Sequence, residues 1–454
     1  MLPSLTSLLL VLEPTMSCSN ISILYCLINS MFCVRSKVTT RSLSRYSEYS
    51  LRHIFRFLSS SIDWVSFRVL FFTRFLFSTT GTYILAVDET VEGKSGTCSH
   101  GISKFYSSCT KYPIKGICLS ALSIIHVESK KSFMLHVIQV VYNEFDKLRI
   151  AEEKLKKKSA QLRLRSGGKP LQRGRKKGTK NKTKEDLKVD TASLRAFKQV
   201  FNETLKAFSI FLPSLKVKYV VGDTAYGNEN YAALISKQGL FLISKLYKNA
   251  VLFEAKEQIK GKVGRPALYG KRFDLSNLPK EYLKHSEKDD KETVIETYQL
   301  EVRSKTMKGR KLNVVVKKAI RKDKKVGTQI FFSTDLELDY ETLIKYYRIR
   351  FQIEFDFRDA KQHFGLSDFK NYKEKNLTNF INLSFTMTLI SKYILQKFRE
   401  KYKNEKLSIL DLKVHYNYQF HTKSIINWFK NNPKINFNSL NEDQFIPNDF
   451  INAA

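Results

Sequence analysis

The sequence predicts an α/β fold, and three observations carry that reading. Apolar runs of strand length recur, and two of them end in an aspartate: YILAVDETV at 83–91 and VKYVVGDTAYGN at 217–228. Longer apolar or amphipathic segments suited to helices surround them, at 21–34, 67–77, 191–212 and 346–365. A third type of segment, from about 247 to 325, is rich in β-branched residues and short turns and reads as mostly strand.

The N-terminal elements come first. LTSLLLVL at 5–12 and ISILYCLINSMFCV at 21–34 stop short of the ~18–20 residues a membrane span needs. FRVLFFTRFLF at 67–77 is interrupted by Arg68 and Arg74. All three read as core helices of a cytoplasmic protein. SLSRYSEYSLRHIFRFL at 42–58 mixes basic, aromatic and apolar residues. It fits an ordinary amphipathic helix or part of a helical DNA-binding module equally well.

After the first strand, IKGICLSALSIIHVES (114–129) and KSFMLHVIQVV (131–141) form an expected hairpin. A basic segment follows, expected as a loop over 150–188. Its stretch 154–188 holds fifteen Lys/Arg against Glu185 and Asp186, a composition that cannot bury a core. The RGR at Arg173 and Arg175 resembles arginine–glycine hooks that lie in a minor groove, so both arginines are candidate DNA contacts. The run at 191–212 reads as a helix, 240–246 as a strand, and KGKVGRPALYGKRF at 260–273 as a basic loop. TVIETYQLEVRS (293–304), KLNVVVKKAI (311–320) and TQIFFSTDLEL (328–338) read as strands, the last leading into a helix that spans 346–365.

Composition narrows the partner. The chain has 454 residues and a formal charge of +35, with 78 Lys+Arg against 43 Asp+Glu. Such an excess favours a polyanion, with nucleic acid first and an anionic membrane surface second. Six cysteines at 18, 26, 33, 98, 109 and 118 form no CxxC pair, which argues against a zinc ribbon or a disulfide framework. Cys98, His100 and Cys109 lie near one another in sequence, but ordinary thiols are the preferred reading.

The chemistry concentrates in three carboxylates. A carboxylate ending an apolar strand costs desolvation unless it is exposed at the sheet's end or paired, and ligands of open α/β sheets bind at strand ends. Taken singly, Asp88 and Asp223 also fit turn or cap roles. The helix at 346–365 supplies the third group. On a helical wheel Tyr347, Arg350, Glu354 and Lys361 fall in one stripe about 60° wide. Ile349, Ile353, Phe357, Ala360 and Phe364 form the adjacent apolar face. Glu354 alone of the helix's carboxylates lies in the stripe; Asp356 and Asp359 point elsewhere and read as solvated or salt-bridged. Two Asp and one Glu can hold hard divalent cations, and a pair of such ions about 3.5–4 Å apart can drive phosphodiester chemistry. Arg350 and Lys361 can grip phosphates, and Tyr347 can bond a phosphate or stack on a base. The plain alternative is an i,i+4 Arg350–Glu354 ion pair on a solvated face.

The spacing Tyr347-x2-Arg350-x3-Glu354-x6-Lys361 resembles the Tyr–Arg–Glu–Lys signature of DDE transposases from bacterial insertion sequences, the group that excises through a DNA hairpin. VDET around Asp88 and GDTAYGN around Asp223 look like that family's two aspartate motifs, Asp223-x-x-Tyr226 included. The resemblance covers residues 83–370 and extends plausibly over the whole chain. It implies an RNase H-like catalytic core with a β-rich insertion between the second aspartate and the glutamate, plus helical N- and C-terminal regions. The expected divisions are 1–80, helical, with DNA-end binding or assembly as candidate roles; 81–246, the first part of the core; 247–325, the insertion; 326–375, the end of the core; and 376–454, helical.

By that resemblance Asp88, Asp223 and Glu354 bind two Mg²⁺ ions, for which Mn²⁺ can substitute, and are the catalytic residues. Tyr347, Arg350 and Lys361 hold DNA phosphates near the cut. The implied activity is cut-and-paste transposition: end cleavage, a hairpin intermediate and strand transfer. The implied partners are double-stranded transposon ends and target DNA, with a homodimer in the complex, no membrane, and a cytoplasmic, nucleoid-associated location. Relatives stack a flipped base on a tryptophan of the insertion. Here the two tryptophans are Trp64 and Trp428, so hairpin formation is less secure than strand cleavage. A metal-dependent nuclease on the same fold and an inactive DNA-binding relic are the rival readings.

Overall fold

The computed structural model of the chain describes residues 17–107, 110–167, 190–255, 268–289, 293–322 and 326–431. The readings made at 5–12, for Arg173 and Arg175, and for most of the 260–273 loop lie outside these residues.

Among the described residues four N-terminal helices, α1 (Cys18–Cys33), α2 (Thr40–Arg45), α3 (Leu51–Leu58) and α4 (Trp64–Phe75), precede the first strand. The 42–58 segment is thus two helices rather than one. Thr39 caps α2 by accepting from the Ser42 N–H, and Asp63 caps α4 in the same way from Ser66. These helices are not free of the core. Leu24, Leu27, Phe57, Phe67 and Phe71 join one continuous apolar cluster with the sheet and the C-terminal helices.

Arg68 fixes one of these contacts. Its guanidinium is fully buried and donates to the Leu135 carbonyl (2.7 Å), the Asn382 carbonyl (3.2 Å), Asn382 Oδ1 (2.8 Å) and Thr386 Oγ1 (3.2 Å). Burial pulls its pKa down to about 9. A charge held this way is tolerable because its donors are filled.

The sheet has twelve strands: β1 (Tyr83–Gly93), β2 (Ser103–Ser107), β3 (Tyr112–His126), β4 (Lys131–Val140), β5 (Tyr219–Gly222), β6 (Phe241–Leu246), β7 (Leu252–Ala255), β8 (Tyr269–Arg272), β9 (Leu283–Lys288), β10 (Val294–Ser304), β11 (Lys311–Ile320) and β12 (Val326–Ser333). Their order is β2-β3-β1-β5-β6-β12-β11-β10-β7-β8, with β4 also on β3 and β9 on β10. The expected β3–β4 hairpin forms, with β3 antiparallel to both β4 and β1. β5 and β6 run parallel to β1. The strands of the 247–325 block continue this sheet, because β12 pairs antiparallel with both β6 and β11. The strand expected over 328–338 ends at Ser333 and gives way to a turn held by Asp335, which accepts from Tyr219 Oη at 2.7 Å.

Helices cover the sheet. They are α5 (Glu144–Arg165), α6 (Ala192–Phe211), α7 (Glu229–Ser236), α8 (Tyr340–Ile349), α9 (Gln352–His363), α10 (Glu374–Tyr402) and α11 (Ile409–Asn431). The expectation of a loop over 150–188 fails for its first part, because α5 runs to Arg165. Asn143 and Asp146 form a reciprocal capping box, and the Lys, Leu, Glu, Ala and Gln that follow are strong helix formers. Among the residues of α5, Asp146 alone is buried, and Arg195 of α6 grips it at 2.5 Å.

The single helix expected over 346–365 is two, α8 and α9. Between them the ladder tightens to three-residue steps: the Ile353 N–H bonds the Arg350 carbonyl at 3.1 Å, and the Glu354 N–H bonds the Phe351 carbonyl at 3.0 Å. Ile349, Ile353, Phe357, Ala360 and Phe364 are all buried, as the wheel requires. Gly365 ends the segment at φ +75°, where a Cβ would also meet the Val38 carbonyl at 2.6 Å.

Candidate active site

Sheet register brings the two aspartates together. β1 pairs with β5 as Ala86↔Val221 and Val87↔Gly222. Continued by one residue, that register sets Asp88, midway along β1, beside Asp223, just past the C-terminal end of the parallel strand β5, about 4.8 Å apart in the backbone. Apolar sequence builds this position, since Ile84, Leu85, Ala86 and Val87 are buried, as are Val220 and Val221.

Each aspartate is held by its own local turn. Asp88 Oδ1 accepts from the Glu89 N–H at 2.8 Å. Asp223 Oδ1 accepts from the Ala225 N–H at 2.9 Å, capping a one-turn 3₁₀ helix over Thr224–Tyr226. The Asp223 carbonyl accepts from Ser244 Oγ at 2.5 Å, which ties the turn to β6.

Glu354 joins through Arg350. The Arg350 guanidinium donates to Asp88 Oδ2 at 2.6 Å and to Glu354 Oε1 at 3.3 Å, bridging strand and helix. The Asp88 and Arg350 side chains are only 15% and 11% exposed, while Glu354 is 40% exposed. The i,i+4 ion pair therefore exists, but on the sheet's end rather than on a solvated face. Burial raises the Asp88 pKa to about 6, with Asp223 pushing in the same direction and Arg350 opposing. Arg350 Nε and Tyr226 Oη are buried near the aspartates with no hydrogen-bond partner among the described residues.

The rest of the stripe follows in part. Tyr347 lies half-buried with the Arg350 guanidinium 5.9 Å from its ring centre, and burial raises its phenol pKa. Lys361 reaches β1 beyond Asp88, where its Nζ lies 3.4 Å from both Glu92 Oε2 and the Val91 carbonyl. It is thus occupied by a carboxylate. Asp356 is fully buried and accepts from Ser132 Oγ at 2.6 Å and from Lys392. Asp359 pairs with Arg358 at 3.0 Å. Both are salt-bridged, and the Asp356 contacts pin α9 to β4 and α10.

Sequence reasoning passed over two neighbours. Glu89, one residue past Asp88 and so on the opposite sheet face, accepts from Ser193 Oγ of α6 at 3.2 Å, and burial raises its pKa. Lys245 of β6 places its Nζ 4.7 Å from the ring centres of both Tyr347 and Phe331. Desolvation and the nearby Arg350 lower its pKa. A lone lysine inside the apolar run LFLISKL was the available signal.

The donor set suits a hard divalent cation: three carboxylates, two of them adjacent and one buried enough that a cation would relieve its charge. Among the described residues no three His, Cys, Asp or Glu converge tightly enough to hold an ion as they stand. The Arg350 guanidinium instead joins Asp88 to Glu354. Chemically the residues fit a metal once that side chain withdraws. Cys98 and His100 join no such cluster among the described residues, Cys109 lies outside them, and no described helix is long and apolar enough to cross a membrane.

A family model described as DDE superfamily endonuclease matches residues 22–309. The match takes in Asp88 and Asp223 and stops short of Glu354. No curated protein matches the chain.

Proposed function

The chain belongs to the DDE superfamily of endonucleases, and from that premise we propose that it is a DNA transposase acting through Asp88, Asp223 and Glu354. The observation that carries the reading is the placing of Asp88 and Asp223 on adjacent parallel strands, with Asp88 linked to Glu354 by one guanidinium. The sheet order β4-β3-β1-β5-β6, with the first three antiparallel and the last two parallel to β1, supports an RNase H-like core. The strands of 247–325 are read as the β-rich insertion.

Two Mg²⁺ ions held by Asp88, Asp223 and Glu354 would supply an activated nucleophilic oxygen and stabilise the leaving oxygen of a phosphodiester. The chain's own residues prepare that event. Asp88 is presented by a buried strand, Asp223 by a capped turn, and Glu354 by a helix that the Asp356–Lys392 pair anchors. Arg350 leaves the carboxylates and turns to phosphate, to which its fork is suited. Tyr347 lines the same cleft. Strand cleavage, a hairpin intermediate and strand transfer can then use one site in turn. Two copies holding two DNA ends complete the proposed assembly.

The test uses the DNA flanking the gene. Incubation with Mg²⁺ should give nicks at the element's ends and, with a target plasmid and pre-cleaved ends, joined products. Asp223→Asn and Glu354→Gln should abolish both while leaving DNA binding intact. Cutting without joining would leave a nuclease in place of a transposase. Full activity in Asp223→Asn would remove the metal-site reading.

A further inference from the structure

Strand β6 carries one charge in an otherwise apolar and small-residue run, Phe241–Leu246. Its parallel pairing with β5 reads Val220↔Leu242 and Val221↔Ile243. Continued by two residues, that register sets Lys245 beside Asp223. Asp88, Asp223 and Lys245 therefore form one row across three neighbouring strands, with side chains on one face. At about 4.8 Å per strand, the Lys245 backbone lies roughly 5 Å from that of Asp223 and roughly 10 Å from that of Asp88.

Its surroundings are unusual for a lysine. The side chain is half-buried between the rings of Phe331 and Tyr347. Among the described residues no carboxylate oxygen comes within 4.0 Å of its Nζ. The charge that bears on it is another cation, Arg350. An ammonium group drawn partly out of water favours a partner of opposite charge, and two cations converging on one cleft repel. The loop that carries Asp223 is packed on the Lys245 backbone: a Cβ at Gly227 would meet the Lys245 carbonyl at 2.4 Å. The position of Lys245 relative to Asp223 is thus fixed by backbone contact and not only by a flexible side chain.

We propose that Lys245 grips a DNA phosphate on the Asp223 side of the cleft, opposite Arg350 on the Asp88 side. The inference rests on the reading of the site as one that takes DNA. A phosphodiester lying over the two aspartates is within reach of the four-carbon stem. It would give both cations the anion that the protein withholds from Lys245. Lysine acts there as a point charge, so the contact strengthens binding without reading sequence.

The experiment compares wild type, Lys245→Met and Lys245→Arg by fluorescence anisotropy on two duplexes of unrelated sequence, in chelator, across a range of salt. Lys245→Met should weaken binding to both duplexes about equally, on the order of tenfold near 0.1 M salt, and reduce the log–log salt slope by about 1. Lys245→Arg should restore the slope. A thermal midpoint lowered in Lys245→Met with an unchanged slope would mean that Lys245 only braces Tyr347, and the proposal falls. A wild type that binds and cuts DNA with Lys245→Met indistinguishable from it sinks this inference alone. A wild type that neither binds nor cuts DNA overturns the function reading, and this one with it.

Discussion

Replacing Asp88 by asparagine should make the metal-free protein more stable at neutral pH. Burial lifts the Asp88 pKa from the ordinary 3.8 to about 6, even with Arg350 alongside. Each unit corresponds to about 1.4 kcal/mol, so ionising this carboxylate in the folded chain costs about 3 kcal/mol more than in the unfolded chain. Because the folded pKa is the higher one, wild-type stability falls as pH rises from about 4 to about 6 and then levels off. The amide of Asp88→Asn mimics the neutral acid and keeps an oxygen for Arg350. The variant should therefore exceed wild type by up to about 3 kcal/mol at pH 7 in chelator, and match it near pH 4. Mg²⁺ should raise the wild-type midpoint by mass action and leave the variant unmoved. Urea unfolding at both pH values, with and without Mg²⁺, measures all of this. A variant less stable than wild type at pH 7 would show that the Asp88–Arg350 pair stabilises outright, and the picture of a strained carboxylate awaiting a cation would be wrong.

Arg350→Met should bind Mn²⁺ more tightly than wild type in the absence of DNA, by tenfold or more, because the guanidinium that spans Asp88 and Glu354 is the ion's competitor. Spin-resonance titration reads free Mn²⁺ directly, and equal affinities would refute the competition. Asp356→Ala strips Lys392 and Ser132 of their shared partner inside the protein and should cost about 3 kcal/mol in urea unfolding. Adding Lys392→Met to that variant should recover much of the loss, and a failure to recover would assign the cost to packing instead of the orphaned ammonium.

How far the sequence discloses this site depends on which residues are fixed by strand pattern and which by pairing. Asp88 and Asp223 are visible because each ends a run that must be buried, and a carboxylate in that place asks for a reason. That they stand side by side is not visible, since alternation and apolarity say nothing of which strands pair or in what direction; β1 to β5 is a choice made by the whole sheet. The five-residue β2, SKFYS, has too little pattern to register at all. On the helix the wheel picked out the core face, because Ile349, Ile353 and Phe357 follow helical spacing across the 3₁₀ step. It had no means of showing that Lys361 would meet Glu92, a residue on a distant strand. The basic stretch after residue 150 misled for a different reason: charge excludes a core but does not exclude a helix, and the Asn143–Asp146 capping box marked one. Lys245 sits between these cases. Its strand was legible and so was its oddity within that strand, but its meaning appeared only when parallel pairing set it in the row with the two aspartates. The same physics governs both kinds of charge in that row. A strand end buried enough to make a carboxylate costly is buried enough to make an ammonium seek an anion, and one phosphodiester with its cations can answer both.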